Sequence, residues 1–138
     1  MRKALLAGIN RQRIIDRILQ GQAIRADGPI LPGTWAYFDG IKALEFDQER
    51  ARTMLKEAGF TFANEGDVVL SKQEKRLAFT LLHPDTPQHR AVAEAIQAGW
   101  SDLGVEVTLE ALPYDQLVGE RLVDRSFQAV LVDLNFSR

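Results

Sequence analysis

The sequence contains no cysteine, which excludes disulfides, thiol nucleophiles and cysteine-ligated zinc while leaving the cellular compartment open. A dominant charge sign is also missing. The 17 Lys and Arg are interspersed with 19 Asp and Glu, for a formal charge of -2, which gives no reason to expect a nucleic-acid or anionic-membrane partner. No apolar run approaches the ~20 residues of a membrane-spanning helix. The opening MRKALLAGINRQR pairs basic residues with a short apolar run. Asn10 and Arg11 interrupt that run before it could serve as a signal-peptide core, so a structural helix is expected there. Neither Ser101 nor Ser126 sits in a nucleophile elbow, and there is no glycine-rich phosphate loop and no paired-carboxylate constellation. An enzyme is therefore not expected, and no cofactor is called for.

What is present is the composition of a soluble globular domain, 46% hydrophobic and 26% charged over 138 residues, long enough for one real core. Its organising unit is Arg76 to Leu112. Leu77, Phe79 and Leu81 alternate with Ala78 and Thr80, and Val105, Val107, Leu109 and Ala111 alternate with Glu106, Thr108 and Glu110, the period of half-buried strands. Between them, Val92, Ile96, Trp100 and Leu103 recur at helical spacing, with Thr86 placed to cap the helix, Pro87 at its first position and Gly104 at its end. A strand, helix and strand of this length predict parallel pairing through a right-handed crossover. Ligands of such sheets bind beyond the carboxyl ends of the strands, which directs attention to Leu82 to Pro87.

The remaining segments read as scaffold. Residues 2 to 8 form a short helix, and Asn10 caps a second one carrying Ile14, Ile15, Ile18 and Leu19, with Ile9 and Ile14 as a hydrophobic staple. Arg11, Arg13 and Arg17 are read as solvated surface charges. Ala23 to Leu44 holds Pro29, Pro32 and three glycines among apolar residues, predicting an irregular arm in which Trp35, Tyr37 and Phe38 either stack on a ligand or cover the core. Asp47 caps a helix that Gly59 and Phe60 end in a Schellman motif. A hairpin over residues 61 to 75 follows. Beyond the organising unit, a helix starts at Pro113 to Asp115, and Phe127 to Leu134, apolar on both faces, is expected to be a central strand.

In this order RKALLAGINRQRIIDRILQGQA, GPILPGTWAY, FDQERARTMLKEAGF, AEAIQAGWSDLGVEVTLEALPYDQL and FQAVLVDLNF resemble the extracellular solute-binding proteins of family 5, the peptide, dipeptide and nickel binding subunits of ABC importers. The resemblance covers nearly the whole chain. It implies an α/β lobe of the type II periplasmic-binding-protein fold, a mixed sheet with a βαβαβ core and helices packed on it. Residues 1–138 would then be one domain, part of the C-terminal lobe, with the N-terminal lobe and the end of the C-terminal lobe outside this sequence. It further implies capture of a peptide-like or other small solute, delivery to ABC permease subunits, and an extracytoplasmic location with the signal segment outside this chain.

The family's carboxylate-binding arginine and tyrosine fall on His83 and Asp85, and both depart from the pattern, since neither reproduces an always-charged bidentate donor or a phenol. Its aromatic at the next helix falls on Tyr114. Its acid after the third strand falls in the region of Asn135 to Arg138, with Ser137 near the matching position. The expected ligand-facing residues are therefore His83, Asp85, Tyr114, Trp35, Asn135 and Ser137. His83, Asp85 and His89 have metal-ligand chemistry, but their spacing is wrong and a metal is not expected. Two alternatives stay open: a small α/β enzyme using His83, Asp85 and His89, and a sensory or interaction domain built on the same lobe. Exposed surface facing a missing lobe leads to an expectation of dimers for the isolated lobe.

Overall fold

A computed structural model describes residues 1–28, 30, 33–38, 40 and 43–133. Two short helices, α1 (Arg2–Ala7) and α2 (Arg11–Arg17), open the chain. The side chain of Asn10 accepts the amide of Arg13 and so starts α2. The helix α3 (Gln48–Glu57) is capped by Asp47, which accepts from the Arg50 amide. It ends as its sequence predicts: Gly59 takes φ 87°, and the Phe60 amide reaches back 3.0 Å to the Leu55 carbonyl. A small antiparallel hairpin follows, β1 (Ser71–Lys72) and β2 (Lys75–Arg76), turned by Gln73 and Glu74 at positive φ.

The core of the lobe is β3 (Ala78–Pro84), α4 (Pro87–Ser101) and β4 (Glu106–Leu112). The strands pair in parallel from Ala78 opposite Glu106 to Pro84 opposite Leu112. Thr86 caps α4 by accepting the His89 amide at 3.2 Å. Gly104, at φ 84°, ends the helix and turns the chain back into β4; a Cβ there would also lie 3.1 Å from Leu70 Cγ. The odd-numbered side of the sheet carries Leu77, Leu81 and Val107 into one cluster with Ala93, Trp100 and Leu103 of the α4 region and with Ala4, Ala51 and Leu55 of α1 and α3. There Phe79 meets Trp100 edge-on, with centroids 5.3 Å apart. Helices α1 and α4 approach closely because Gly99 has no Cβ: one would sit 2.8 Å from the Gly8 carbonyl oxygen.

The opposite side of the sheet is covered by the next helix. It begins as α5 (Tyr114–Gln116) and continues as a π-helical segment, Leu117–Leu122. Leu117 is fully buried there, and Arg121 reaches Glu110 of β4 at 2.9 Å. Leu82 and Leu117 are buried outside the main cluster, so the sheet separates two apolar layers.

The chain then returns as β5 (Ala129–Val130), parallel to β3 on its free side. The Gln128 side chain extends this pairing by accepting the Thr80 amide at 2.9 Å. The strand order is β4-β3-β5, which corrects one expectation. The strand expected at the centre is the edge of the described sheet, and its described pairing is short. The central place goes to β3, whose Leu81, Leu82, His83 and Pro84 are buried on both faces. Leu134, the predicted end of that strand, lies outside the described residues. Among the described residues, antiparallel pairing is confined to the separate hairpin and its bridge from Thr61 to Ser71, beside the three-stranded parallel sheet.

Candidate functional site

The carboxyl ends of β3, β4 and β5 open on the same edge of the lobe, and the start of α4 rises from that edge. Strand β3 runs through Pro84, and the Asp85 amide continues the ladder to the Leu112 carbonyl at 2.8 Å. The loop expected over Leu82 to Pro87 is therefore only Asp85 and Thr86. This moves His83 out of the surface. It is 2% exposed, with Nδ1 2.9 Å from the Pro84 carbonyl oxygen, and since a carbonyl only accepts, Nδ1 carries the proton. As a ligand contact His83 is corrected: alternation along a strand that is longer than predicted points its ring into the lobe beneath the rim.

Asp85 and Tyr114 do lie on the rim. The Asp85 side chain is 55% exposed, and its Oδ1 accepts from Arg90 at 2.9 Å. Tyr114, 43% exposed, stands at the start of α5 directly after β4. Trp35 is not brought to them; at 99% exposure its indole is in solvent on the arm. The base of that arm is pinned instead. Arg25 makes two bonds of 2.9 Å to the Glu45 carboxylate and one of 3.0 Å to Asp27, while Arg11 pairs with Asp27 at 2.9 Å and with the Leu44 carbonyl at 2.8 Å. Glu45 first and Asp27 second raise the Arg25 guanidinium above its ordinary range. Asn135 and Ser137 lie outside the described residues.

Sequence reasoning missed a second feature of the rim. His89, weighed above only for metal-ligand or enzyme chemistry, is engaged at both ring nitrogens: Nδ1 lies 2.7 Å from Thr86 Oγ1 and Nε2 lies 3.1 Å from Asp133 Oδ2. Because a carboxylate only accepts, Nε2 carries the proton, and in the neutral ring Nδ1 accepts from the Thr86 hydroxyl. Hydroxyl, imidazole and carboxylate thus stand in the order of a hydrolytic triad. The hydroxyl, however, also serves as the cap of α4, accepting the His89 amide, so these contacts are accounted for by the start of the helix. The only sequence signal for this chain of contacts was a histidine in the first turn of α4 and an acid just past an apolar strand, 44 residues apart. Among the described residues, no group of three potential metal ligands is gathered. No described helix is long and apolar enough to cross a membrane.

Residues 1–137 match the sequence model of the bacterial extracellular solute-binding proteins, family 5 Middle. The chain belongs to that family. As a family 5 member it is 30% identical to the dipeptide-binding protein of Escherichia coli (strain K12) over 132 residues, which is 96% of this chain and 23% of that protein. The oligopeptide-binding protein AppA from Bacillus subtilis, solved in complex with a nonapeptide, superposes with a TM-score of 0.80 at 30% identity, over 86% of this chain and 24% of its own. NikA from Brucella suis, solved with Fe(III)-EDTA, superposes with a TM-score of 0.82 at 28% identity, over 94% of this chain and 26% of its own. The chain therefore spans about a quarter of the length of the proteins it matches. The family resemblance read from the sequence, and the α/β lobe of a periplasmic binding protein that it implied, are both borne out.

Proposed function

We propose that this chain is part of the C-terminal lobe of the substrate-binding component of an ABC-type importer, working outside the cytoplasm. It captures a peptide-like or other small solute between two lobes and presents it to the permease. The observation that carries this reading is the rim itself, exposed, polar and at the carboxyl edge of a parallel sheet. Asp85 and Tyr114 face the ligand, the first as a hydrogen-bond acceptor and the second as a stacking face. His83 supports the Asp85 loop from below, Asn135 and Ser137 are assigned to the ligand side on the family resemblance, and Trp35 is assigned to it as an aromatic stacking face.

The mechanism is binding and closure. A solute that contacts both lobes only when they are closed shifts a hinge equilibrium toward the closed form, by no more than its differential affinity for that form, and the permease reads the closure. One lobe alone offers about half of those contacts. Calorimetric titration of this chain with peptides, cellobiose-type sugars and nickel is expected to show no binding at micromolar concentrations. Micromolar or tighter binding would mean that the described rim is a complete site.

A further inference from the structure

Of the three arginines read from the sequence as solvated charges, one is taken by the arm. Arg11 pairs with Asp27 at 2.9 Å and donates to the Leu44 carbonyl at 2.8 Å. Arg13 and Arg17 lie one turn apart on α2, both exposed, and among the described residues neither guanidinium has a hydrogen-bond or ion-pair partner. They line a cavity of about 350 Å³ between α2 and the second half of α4. Its apolar wall is made by Ile14 and Ile18 of α2, Phe46 at the entry to α3, and Ala95 and Gly99 of α4. Ile14 and Ile18 are half-buried and Phe46 is 45% exposed, and none of the three belongs to the core cluster or packs against it. The apolar stripe of α2 is therefore only partly used by the lobe, with Ile15 as its buried member. The neutral polar side chains of the wall are engaged already, Asn10 by the Arg13 amide at 2.9 Å and Gln48 by the Gly99 carbonyl at 3.5 Å.

We infer that this cavity binds a small amphiphilic anion, an alkyl carboxylate whose head lies between Arg13 and Arg17 and whose tail covers Ile14, Ile18 and Phe46. Size and lining are those of a small-molecule site: about 300 Å³ is the lower end of the usual range, and a few charged groups stand on a mainly apolar wall. The charges select the sign of the ligand. Two positive groups, Arg13 and Arg17, against one negative group, Asp102, leave the lining at +1, the complement of a monoanion, in a chain whose formal charge is -2. Like charges at i and i+4 repel. A carboxylate between the two guanidiniums replaces that repulsion with charge-assisted hydrogen bonds, which each fork can make in pairs. The acids on the neighbouring stretches of α2 and α3 are engaged elsewhere: Asp16 by Gln12, Asp47 by the Arg50 amide and Glu49 by Arg52. Asp102 offers its carbonyl, not its carboxylate, to Arg52, so its charge stays in the wall and disfavours a second negative charge. The cavity lies beside the second half of α4 and the rim at the start of that helix, so this inference does not depend on the reading of the rim.

Octanoate, acetate and octylamine, titrated in turn against the amide NMR spectrum of this chain, separate tail, head and sign of charge. Octanoate is expected to shift the Ile18, Ala95 and Gly99 amides and to saturate with a dissociation constant of about 0.1–10 mM, with acetate and octylamine about ten-fold weaker or more. Arg13→Gln combined with Arg17→Gln is expected to weaken octanoate about ten-fold, and Asp102→Asn to tighten it about two-fold. All three side chains are exposed, so the variants keep the parent's spectrum away from the cavity, and the single Asp102 variant gives a second measurement of opposite sign. Octylamine shifting the same amides as tightly as octanoate would show an apolar patch without charge selection and overturn the inference. Acetate binding as tightly as octanoate would overturn it as well, because the apolar wall would then play no part. An octanoate affinity unchanged in the arginine variant, or no shift at Ile18, Ala95 and Gly99 in the parent, would equally sink it.

Discussion

At the residue scale the lobe depends on a few side chains with two tasks each, and Thr86 is the clearest. Its hydroxyl accepts the His89 amide at 3.2 Å and lies 2.7 Å from His89 Nδ1. Thr86→Ala removes the cap and is expected to cost about 1 kcal/mol of stability. Thr86→Ser, which keeps the oxygen, is expected to stay within about 0.5 kcal/mol of the parent. Urea denaturation of both variants checks this, and equal losses would show that the cap contributes nothing. The capping role was legible because it is local: a threonine, a proline and an apolar stripe at fixed offsets. The burial of His83 was not legible. Whether a histidine at a strand end faces out or in depends on where the strand stops, and here pairing of Pro84 with Leu112 extends it past the predicted end.

At the scale of elements, what was legible follows the same division. Helices α3 and α4 carry caps, stripes and terminal glycines within their own sequence, and both lie where those signals put them. The parallel pairing of β3 and β4 was legible from the helix between them. The π-helical segment was not, because its neighbours are tertiary: Leu117 is buried, and Arg121 is drawn to Glu110 on the sheet. Nor was the edge position of β5, since an apolar run looks alike at a centre and at an edge covered on one side. Two glycines separate packing from propensity. At Gly99 a Cβ would meet the Gly8 carbonyl at 2.8 Å, backbone against backbone, whereas at Gly119 nothing lies within 4 Å. Gly99→Ala should push α1 off α4 and cost about 1–3 kcal/mol. Gly119→Ala should be neutral or stabilise by about 0.5–1 kcal/mol through its helical preference. Thermal unfolding of the pair decides the matter, and a neutral Gly99→Ala would mean that the close approach of α1 and α4 is not needed for stability.

At the scale of the whole molecule, the arm leaves large apolar side chains uncovered. Ile24 is 79% exposed, Trp35 99% and Phe38 67%, all on one arm whose base is pinned by Arg25 and Glu45. Covering such side chains together removes apolar area from water, and for this chain alone the available cover is a second copy. Magnitudes limit how strong that association can be. A buried tryptophan removes about 150–250 Å² from water, worth about 4–6 kcal/mol, which is no more than the lower end of the cost of bringing two molecules together. Trp35 alone therefore cannot hold a dimer, and Ile24 and Phe38 must add to it. The expected outcome is weak dimerisation, with dissociation constants of about 10 μM to 1 mM, visible by light scattering as a mass that rises with concentration. Trp35→Ser should return the chain to monomer, because losing the largest contributor leaves the rest below the association cost. A clean monomer for the parent chain at high concentration would show that the arm folds back or stays hydrated.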